Sequence, residues 1–154
     1  MFEKILVCLD GSKSGEGILP YVEAQALKFG SKVTLLQVVN LTSADFAGVT
    51  SRTPADESQM VAKQIERVMG EAKKYLDDID KRVKARGIEV DSVVLNSESV
   101  DTAIVHYAEK NNIELIAITS HGHGGWKDFL FGSTADSILR KSSLPVLMIK
   151  GGKD

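Results

Sequence analysis

The sequence predicts an α/β fold in which helices cover both faces of one parallel sheet. Strand and helix patterns alternate along the chain, and the strand patterns are short apolar runs rich in branched side chains. Such runs are typical of strands that are buried on both faces. The alternation itself indicates strand–helix–strand units. The expected strands are residues 4–9, 33–39, 88–95, 114–119 and 146–149.

The order of these strands follows from the way such units connect. Right-handed crossovers and burial of the first strand favour the order 3-2-1-4-5. The third strand, 88–95, alternates apolar and polar residues more than the first two do, which places it nearer an edge. In this order the winding reverses between strands one and four. Ligands of such sheets bind outside the carboxyl ends of the strands at that reversal.

Four helices are expected between the strands. The first ends at Gly30, and Pro20 lies early in it, so the helix either begins near Ile18 or has a distorted first turn. The second is long and is expected to run from a cap at Asp56 to Arg86, with its apolar stripe against the sheet. That stripe consists of Val61, Ile65, Val68, Ala72, Leu76, Ile79 and Val83. Ser99 is expected to cap the third helix, and Ala135, Ile138 and Leu139 mark the fourth.

Composition limits the possible classes of protein. The chain has 154 residues, which fits a single domain over 1–154, and 43% of them are hydrophobic. The formal net charge of −2 argues against a dedicated nucleic-acid binder, which usually carries a basic stripe. The sequence has no apolar run of about 18 residues, so no membrane-spanning helix is expected. Cys8 is the single cysteine and has no partner for a disulfide, which favours the reducing cytoplasm.

Glycine and hydroxyl residues follow the fourth strand in a pattern that suits phosphate. Gly122, Gly124 and Gly125 come first, and Gly132-Ser133-Thr134 then precedes the fourth helix. Glycines let the backbone approach a ligand without interference from a Cβ atom. A helix start offers unpaired N–H groups and the positive end of the helix dipole. Because Asp10 and Gly11 follow the first strand, both turns are expected at the reversal point, which predicts a nucleotide site.

The same glycines also allow a simpler interpretation, a tight connection that binds nothing. The loop lacks the Gly-Lys-Ser/Thr ending of a P-loop, and the first turn, DGSKSGEG, does not match the dinucleotide fingerprint. Ser133 alone could be a helix cap, although a cap can also contact phosphate. Lys127 could bring charge to a terminal phosphate or be simply solvated.

Histidines near the loop suggest a metal site only weakly. His121 and His123 lie close together and His106 lies elsewhere, whereas a zinc site needs three or four well-spaced ligands. Cys8 lies inside the first strand. No transition-metal site is therefore expected, and no catalytic residue is predicted, because neither loop histidine has a partnered nucleophile. A nucleotide-bound Mg²⁺ would be held mainly by phosphate and water.

Several segments together resemble the universal stress protein family. The first strand and turn, KILVCLDGS, the ending RKSSLPVLMIK, and the spacing of Gly122, nine residues, then Gly132-Ser133 carry the resemblance across nearly the whole chain. It implies a Rossmann-like fold and a homodimer formed through the last strand, from Val146 to Ile149. The last strand is expected at an edge of the sheet, and an exposed edge is commonly paired or covered. One branch of the family binds ATP through a Gly-x-x-Gly-x9-Gly-Ser/Thr loop, and another branch lacks that loop.

The resemblance assigns roles to individual residues of the expected nucleotide site. Gly122 and Gly132-Ser133 match the second and third elements of the loop, and the first glycine is replaced by Thr119. Asp10 is implied to contact the nucleoside. Val38 and Ile118 are implied to pack on either side of the adenine, although on structural grounds alone both would be core residues. His121 and Thr134, which adjoin matched positions, complete the predicted site.

The resulting expectation is an ATP-binding homodimer, with or without Mg²⁺, that acts as a sensor or regulator in the stress response. Two rivals remain open. One is a family dimer that binds no nucleotide because Thr119 has closed the pocket. The other is a slow ATPase or self-phosphorylating protein that uses Ser133, for which Asp10 is the one candidate acid and no base is evident.

Overall fold

The central feature of the computed structural model is a parallel sheet in the order β3-β2-β1-β4-β5, as the sequence predicts. The structure describes residues 1–41, 46, 53–120 and 132–151. Every strand pair in this part of the chain is parallel. The strands are β1 (Lys4–Leu9), β2 (Lys32–Val39), β3 (Val90–Asn96), β4 (Leu115–Ser120) and β5 (Val146–Lys150).

Within the described ranges, four α-helices connect these strands: α1 (Leu19–Phe29), α2 (Pro54–Ala85), α3 (Val100–Lys110) and α4 (Ser133–Lys141). A short 3₁₀ helix, Gly15–Ile18, runs directly into α1. Pro20 is therefore the second residue of α1, where its missing N–H costs nothing because the first N–H groups of a helix have no partner within it. Gly30 ends α1 in the left-handed conformation that glycine adopts without strain.

The start of α2 differs from the prediction. Thr53 is the N-cap, and its Oγ1 accepts a hydrogen bond of 3.2 Å from the backbone N–H of Asp56. The expected cap at Asp56 is wrong because Pro54, which has no N–H to lose, occupies the first position of the helix. Asp56 instead places its charge in the first turn, near the positive end of the helix dipole.

The apolar stripe of α2 is only partly buried. Ala72, Leu76, Ile79 and Val83 are buried, whereas Val61, Ile65 and Val68 are half-buried. Length explains the difference: α2 has 32 residues and β2 has eight, which correspond to about 48 Å and about 26 Å. Since α2 leads from the carboxyl end of β2 to the start of β3, its first half extends beyond the carboxyl edge of the sheet.

Two apolar clusters cover the two faces of the sheet. The first lies under α1 and α2 and includes Val7, Leu35 and Leu76. The second lies under α3 and α4 and includes Cys8, Leu36 and Ile138. Alternate side chains of β1 and β2 thus enter opposite clusters, as the pleat of a strand requires. No helix in the described part of the chain is long and apolar enough to cross a membrane.

Two adjacent residues of α4 provide a test of this packing. Ile138 is fully buried at 0% exposure, whereas Leu139 is 43% exposed. Ile138→Ala is expected to lower the free energy of unfolding by about 2–5 kcal/mol, because it leaves a cavity in the second cluster. Leu139→Ala is the control and should change it by less than about 0.5 kcal/mol. Urea unfolding followed by circular dichroism measures both, and equal losses would contradict this packing of α4.

Candidate functional site

The candidate site lies where the winding of the sheet reverses. β1 pairs with β2 on one side and with β4 on the other, so the chain leaves these neighbouring strands toward different faces. After β1 the chain forms α1, which covers the first cluster, and after β4 it reaches α4, which covers the second. The carboxyl ends of β1 and β4 therefore lie at the position where such folds bind ligands.

The turn after β1 is held in one conformation by its own side chains. Asp10 Oδ1 accepts hydrogen bonds from the backbone N–H of Ser12 at 3.0 Å and from Ser12 Oγ at 2.7 Å. Ser12 Oγ in turn accepts from the backbone N–H of Gly15 at 3.0 Å. Gly11 between them has a φ of +85°, which glycine tolerates better than other residues. The Asp10 carboxylate, which is exposed, is thus fixed at the end of β1.

Gly15 allows the 3₁₀ helix to approach this carboxylate closely. A Cβ atom on Gly15 would lie 2.7 Å from Asp10 Oδ1 and 3.3 Å from Ser12 Oγ. The first distance is shorter than van der Waals contact. Since Asp10 Oδ1 is already held by two hydrogen bonds, it has little freedom to move away. A side chain at position 15 would therefore disturb the Asp10 turn.

Thr119, near the end of β4, faces the same 3₁₀ helix. Its side chain is 4% exposed, and its hydroxyl donates a hydrogen bond of 3.1 Å to the carbonyl oxygen of Gly15. The neighbouring residue Ile118 points to the opposite face, where it belongs to the second cluster. The two residues therefore have separate surroundings: Thr119 joins β4 to the segment after β1, and Ile118 borders α3 and α4.

Val38 and Ile118 lie on the same face of the sheet. Cys8 of β1 pairs in register with Leu36 on one side and with Ile118 on the other. Val38 is two residues beyond Leu36 and so points the same way, packing half-buried against the second cluster. The two apolar side chains therefore flank the carboxyl end of β1, next to Asp10.

The start of α4 lies on this same face. Gly132 is its N-cap, with φ −58° and ψ 151°, and its carbonyl oxygen accepts a hydrogen bond of 2.9 Å from Asp136. Glycine has no side chain that could cap the first amides of the helix. Ser133 is exposed and Thr134 is half-buried. No side chain of the described residues caps this helix start, and a helix start with hydroxyls in its first turn can bind an anion.

Several of the predicted residues belong to the loop after β4. His121 and Gly122 lie outside the described residues, as do His123 and Lys127. His106 is an exposed residue of α3. Among the described residues, no three histidine, cysteine, aspartate or glutamate side chains come together in a way that could hold a metal ion.

Cys8 is unsuited to nucleophilic chemistry. The thiol is buried in the second cluster, and burial raises its pKa to about 12. Reactive cysteines have a lowered pKa and some access to solvent. Cys8 is therefore a packing residue beneath the candidate site.

Sequence reasoning did not single out two residues that shape this region. Gly15 stands in the stretch DGSKSGEG, where the close approach to Asp10 leaves no local pattern. Asp101 resembles an ordinary first-turn acid of α3, yet its carboxylate accepts hydrogen bonds from Ser137 and Lys141 of α4. The spacing of four between Ser137 and Lys141, which puts both on one helix face, is the only signal available in the sequence.

The fold defines a doubly wound, Rossmann-like α/β protein, and comparison with known proteins gives its family. The model of the universal stress protein family matches residues 1–150. The chain therefore belongs to the universal stress protein family, as the motifs at its two ends and in its loop suggest.

Individual relatives agree with this assignment. The universal stress protein MJ0577 of Methanocaldococcus jannaschii is 28% identical, over 97% of this chain and 96% of the relative. A solved structure of MJ0577 has a TM-score of 0.76 at 27% identity and covers 100% of this chain and 99% of its own. A universal stress protein solved in complex with cAMP has a TM-score of 0.67 at 16% identity, over 98% of both chains, and so shares the fold.

Substitution of Gly15 tests the geometry of the Asp10 turn. Gly15→Ala is expected to lower the free energy of unfolding by about 1–3 kcal/mol, because the added methyl group overlaps Asp10 Oδ1. Gly17→Ala, in the same 3₁₀ helix, is the matched control. A Cβ there would lie 3.5 Å from Ile149 Cδ1, an ordinary contact. Chemical denaturation of both variants measures the difference, and equal stability of the two would show that Gly15 is not constrained by Asp10.

Proposed function

We propose that this protein is a nucleotide-binding member of its family, a homodimer that binds ATP and acts as a sensor or regulator in the stress response. The observation that supports this most is the convergence of three features on one edge of the sheet. A fixed carboxylate, an apolar pair and a helix start with a glycine N-cap lie around the carboxyl ends of β1 and β4. These features match the nucleoside, the base and the phosphates of one ligand.

The nucleoside half of the proposed site consists of Val38, Ile118 and Asp10. Val38 is half-buried and Ile118 is 6% exposed, and the two apolar side chains belong to strands on either side of β1. An adenine ring would lie between them. Burying a flat aromatic ring against such side chains is favourable. Asp10 at the end of β1 offers carboxylate oxygens, which accept hydrogen bonds from hydroxyl or amino groups of a nucleoside. The Asp10–Ser12 bonds would hold this acceptor in place before the ligand arrives.

The phosphate half consists of the loop and the start of α4. Gly132 and Ser133 match the end of the ATP-binding loop pattern, and Gly122 matches its middle. The backbone amides of Ser133 and Thr134 and their hydroxyls would donate to phosphate oxygens, with the helix dipole favouring the negative charge. His121 directly precedes Gly122 in the sequence. A bound Mg²⁺ would neutralise phosphate charge and be held mainly by phosphate and water.

The surroundings of Thr119 favour this proposal over a family dimer that binds no nucleotide. A side chain in place of the first loop glycine could obstruct the ligand if it pointed toward α3 and α4. The Thr119 side chain is instead buried against the other face and bonded to the Gly15 carbonyl oxygen. The departure from the loop pattern therefore places no Thr119 side chain on the face of Val38 and Ile118. The cAMP complex of a family member with this fold supports an adenine nucleotide as the ligand class.

Substitutions of Gly132 separate ATP binding from folding. Aspartate is a good N-cap residue and φ −58°, ψ 151° suits it, so Gly132→Asp should keep or slightly raise the stability of α4. The same carboxylate would repel phosphate, and ATP affinity measured by calorimetry should fall at least about tenfold. Gly132→Asn, which caps without the charge, is the control and should lose less affinity. Unchanged affinity in Gly132→Asp would rule out α4 as the phosphate site.

Calorimetry, together with assays of retained nucleotide and of released phosphate, distinguishes the two rivals. A wild-type chain that releases no heat with ATP and retains no nucleotide on purification would be the non-binding dimer. Phosphate release that is linear in time and disappears in Ser133→Ala would indicate an ATPase. Recovery of intact ATP after long incubation would leave binding as the activity.

The proposed homodimer forms through the edge of β5 that pairs with no other strand among the described residues. This strand is last in the sheet order, and Val146, Leu147, Met148 and Ile149 are each only half-buried. The hydrogen bonds from Ile116 N–H to Pro145 and from Gly151 N–H to Ser120 show which β5 residues face β4. In a parallel ladder these are the odd-numbered ones. The backbone groups of Met148 therefore point to the free edge, where a second copy could pair with them.

Proline substitutions test this edge. Met148→Pro removes an N–H that points away from β4, which an edge strand tolerates, so the variant should fold. It should, however, sediment as a monomer, with half the molecular mass of the wild-type dimer. Ile149→Pro removes an N–H on the β4 side and should unfold the strand, which makes it the matched control. Sedimentation velocity and circular dichroism on each variant provide the two readouts. A folded Met148→Pro variant of unchanged mass would place the dimer contact elsewhere.

A further inference from the structure

One carboxylate joins α4 to α3. Asp101, in the first turn of α3, accepts hydrogen bonds from the hydroxyl of Ser137 and from the ammonium of Lys141, both on α4. Ser99 Oγ donates to the same carboxylate at 2.8 Å. Lys141 also donates to Thr102 Oγ1 at 3.2 Å, which adds a second link between the two helices. We call these contacts of Asp101 with Ser137 and Lys141 the α3–α4 clamp.

Like Arg82–Glu16 and Arg86–Glu23, the clamp joins two helical segments through a largely buried carboxylate. Many of the other ion pairs in the described part of the chain are of a different kind. The Arg67–Glu71 and Lys73–Asp77 pairs lie within one helix and are well exposed. The Asp101 side chain is only 19% exposed, and its partner belongs to a different helix. Lys141, and after it Ser137 and Ser99, hold the pKa of the Asp101 carboxyl well below its ordinary value. The carboxylate is therefore ionised throughout the neutral range.

Among the described residues, α4 packs mainly on α3 and only lightly on β4. It has nine residues, and only Ala135 and Ile138 are buried among them. Two apolar side chains hold a short helix on the sheet but allow it to tilt or to turn about its axis. Ser137 and Lys141 lie four residues apart, so a common partner on α3 restrains both movements.

From these contacts we infer that Asp101 is a positioning residue for phosphate binding, which sets the direction of α4 and thereby of the amides at its start. The inference rests on the proposed function, because those amides are the proposed phosphate donors. Helix-start donors must point at the anion to bind it well, and a misdirected helix loses these bonds without losing the adenine contacts. The clamp would thus act on the phosphates of the ligand and not on its nucleoside.

Two opposite changes of charge separate positioning from simple electrostatics. Asp101→Asn removes a negative charge, which by long-range attraction alone would strengthen ATP binding. Lys141→Met removes a positive charge, which alone would weaken it. Both variants break the clamp. Positioning therefore predicts that both weaken ATP binding, by about tenfold each, which corresponds to the loss of one charged hydrogen bond.

The experiment measures ATP and adenosine affinities by calorimetry for the wild type, Asp101→Asn, Lys141→Met and Glu71→Gln. Glu71→Gln breaks an ion pair on the other face of the sheet and serves as the control. Adenosine affinity should stay within about twofold in all four proteins, since the nucleoside half of the site is unchanged. Hydrogen exchange of the nucleotide-free proteins should show faster exchange across α4 in the two clamp variants, with the amides of β4 unchanged.

Each alternative result has a distinct meaning. Equal losses of ATP and adenosine affinity would make Asp101 a general stability residue and overturn the inference. Tighter ATP binding in Asp101→Asn with weaker binding in Lys141→Met would show that only long-range charge matters. That result would also overturn the inference. A wild-type chain that binds neither ligand would defeat the proposed function, and the exchange of α4 would then show separately whether the clamp restrains the helix.

Discussion

The double burial of β1 is the constraint on which the rest of the structure depends. Its side chains alternate between two clusters, and both of its edges are paired, with β2 and with β4. A strand held in this way cannot shift its register without moving apolar side chains to the wrong face. The residue that follows it, Asp10, therefore leaves the sheet at a fixed place. Both neighbouring strands continue to that level, so Asp10 lies between Val38 and the end of β4.

Two adjacent residues near the carboxyl end of β4 point to opposite faces of the sheet and have different roles. Thr119 is turned toward the 3₁₀ helix and bonds to Gly15, which joins the segments after β1 and β4 across the first face. Ile118 is turned toward α3 and α4, where the proposed ligand would lie. Because adjacent residues of a strand must point to opposite faces, a side chain at position 119 can serve structure without entering the site beside Ile118.

The fold was largely predictable from the sequence, because apolar runs and turn residues determine the strands locally and crossover handedness then limits their order. The cap of α2 was missed by three residues because Thr53 and Asp56 are both good caps, and the position of Pro54 decides between them. The buried stripe of α2 was overestimated because its period does not reveal where the sheet beneath it ends. For the candidate site, the location of Asp10 and Thr119 at the ends of neighbouring strands was predictable. The contacts Thr119–Gly15 and Asp101–Ser137 were not, since they join residues 104 and 36 positions apart.

Because Cys8 is buried, the reactivity of its thiol can report when α3 and α4 move away from the sheet. The thiol lies beneath α3 and α4, and burial keeps it protonated. A thiol reagent in solution can react only after these helices separate from the sheet and expose the sulfur. Because the sequence contains one cysteine, the labelling rate reports exposure of this one site, without an introduced mutation. The lifetime of the closed helical layer over β1 can therefore be timed in the unmodified protein.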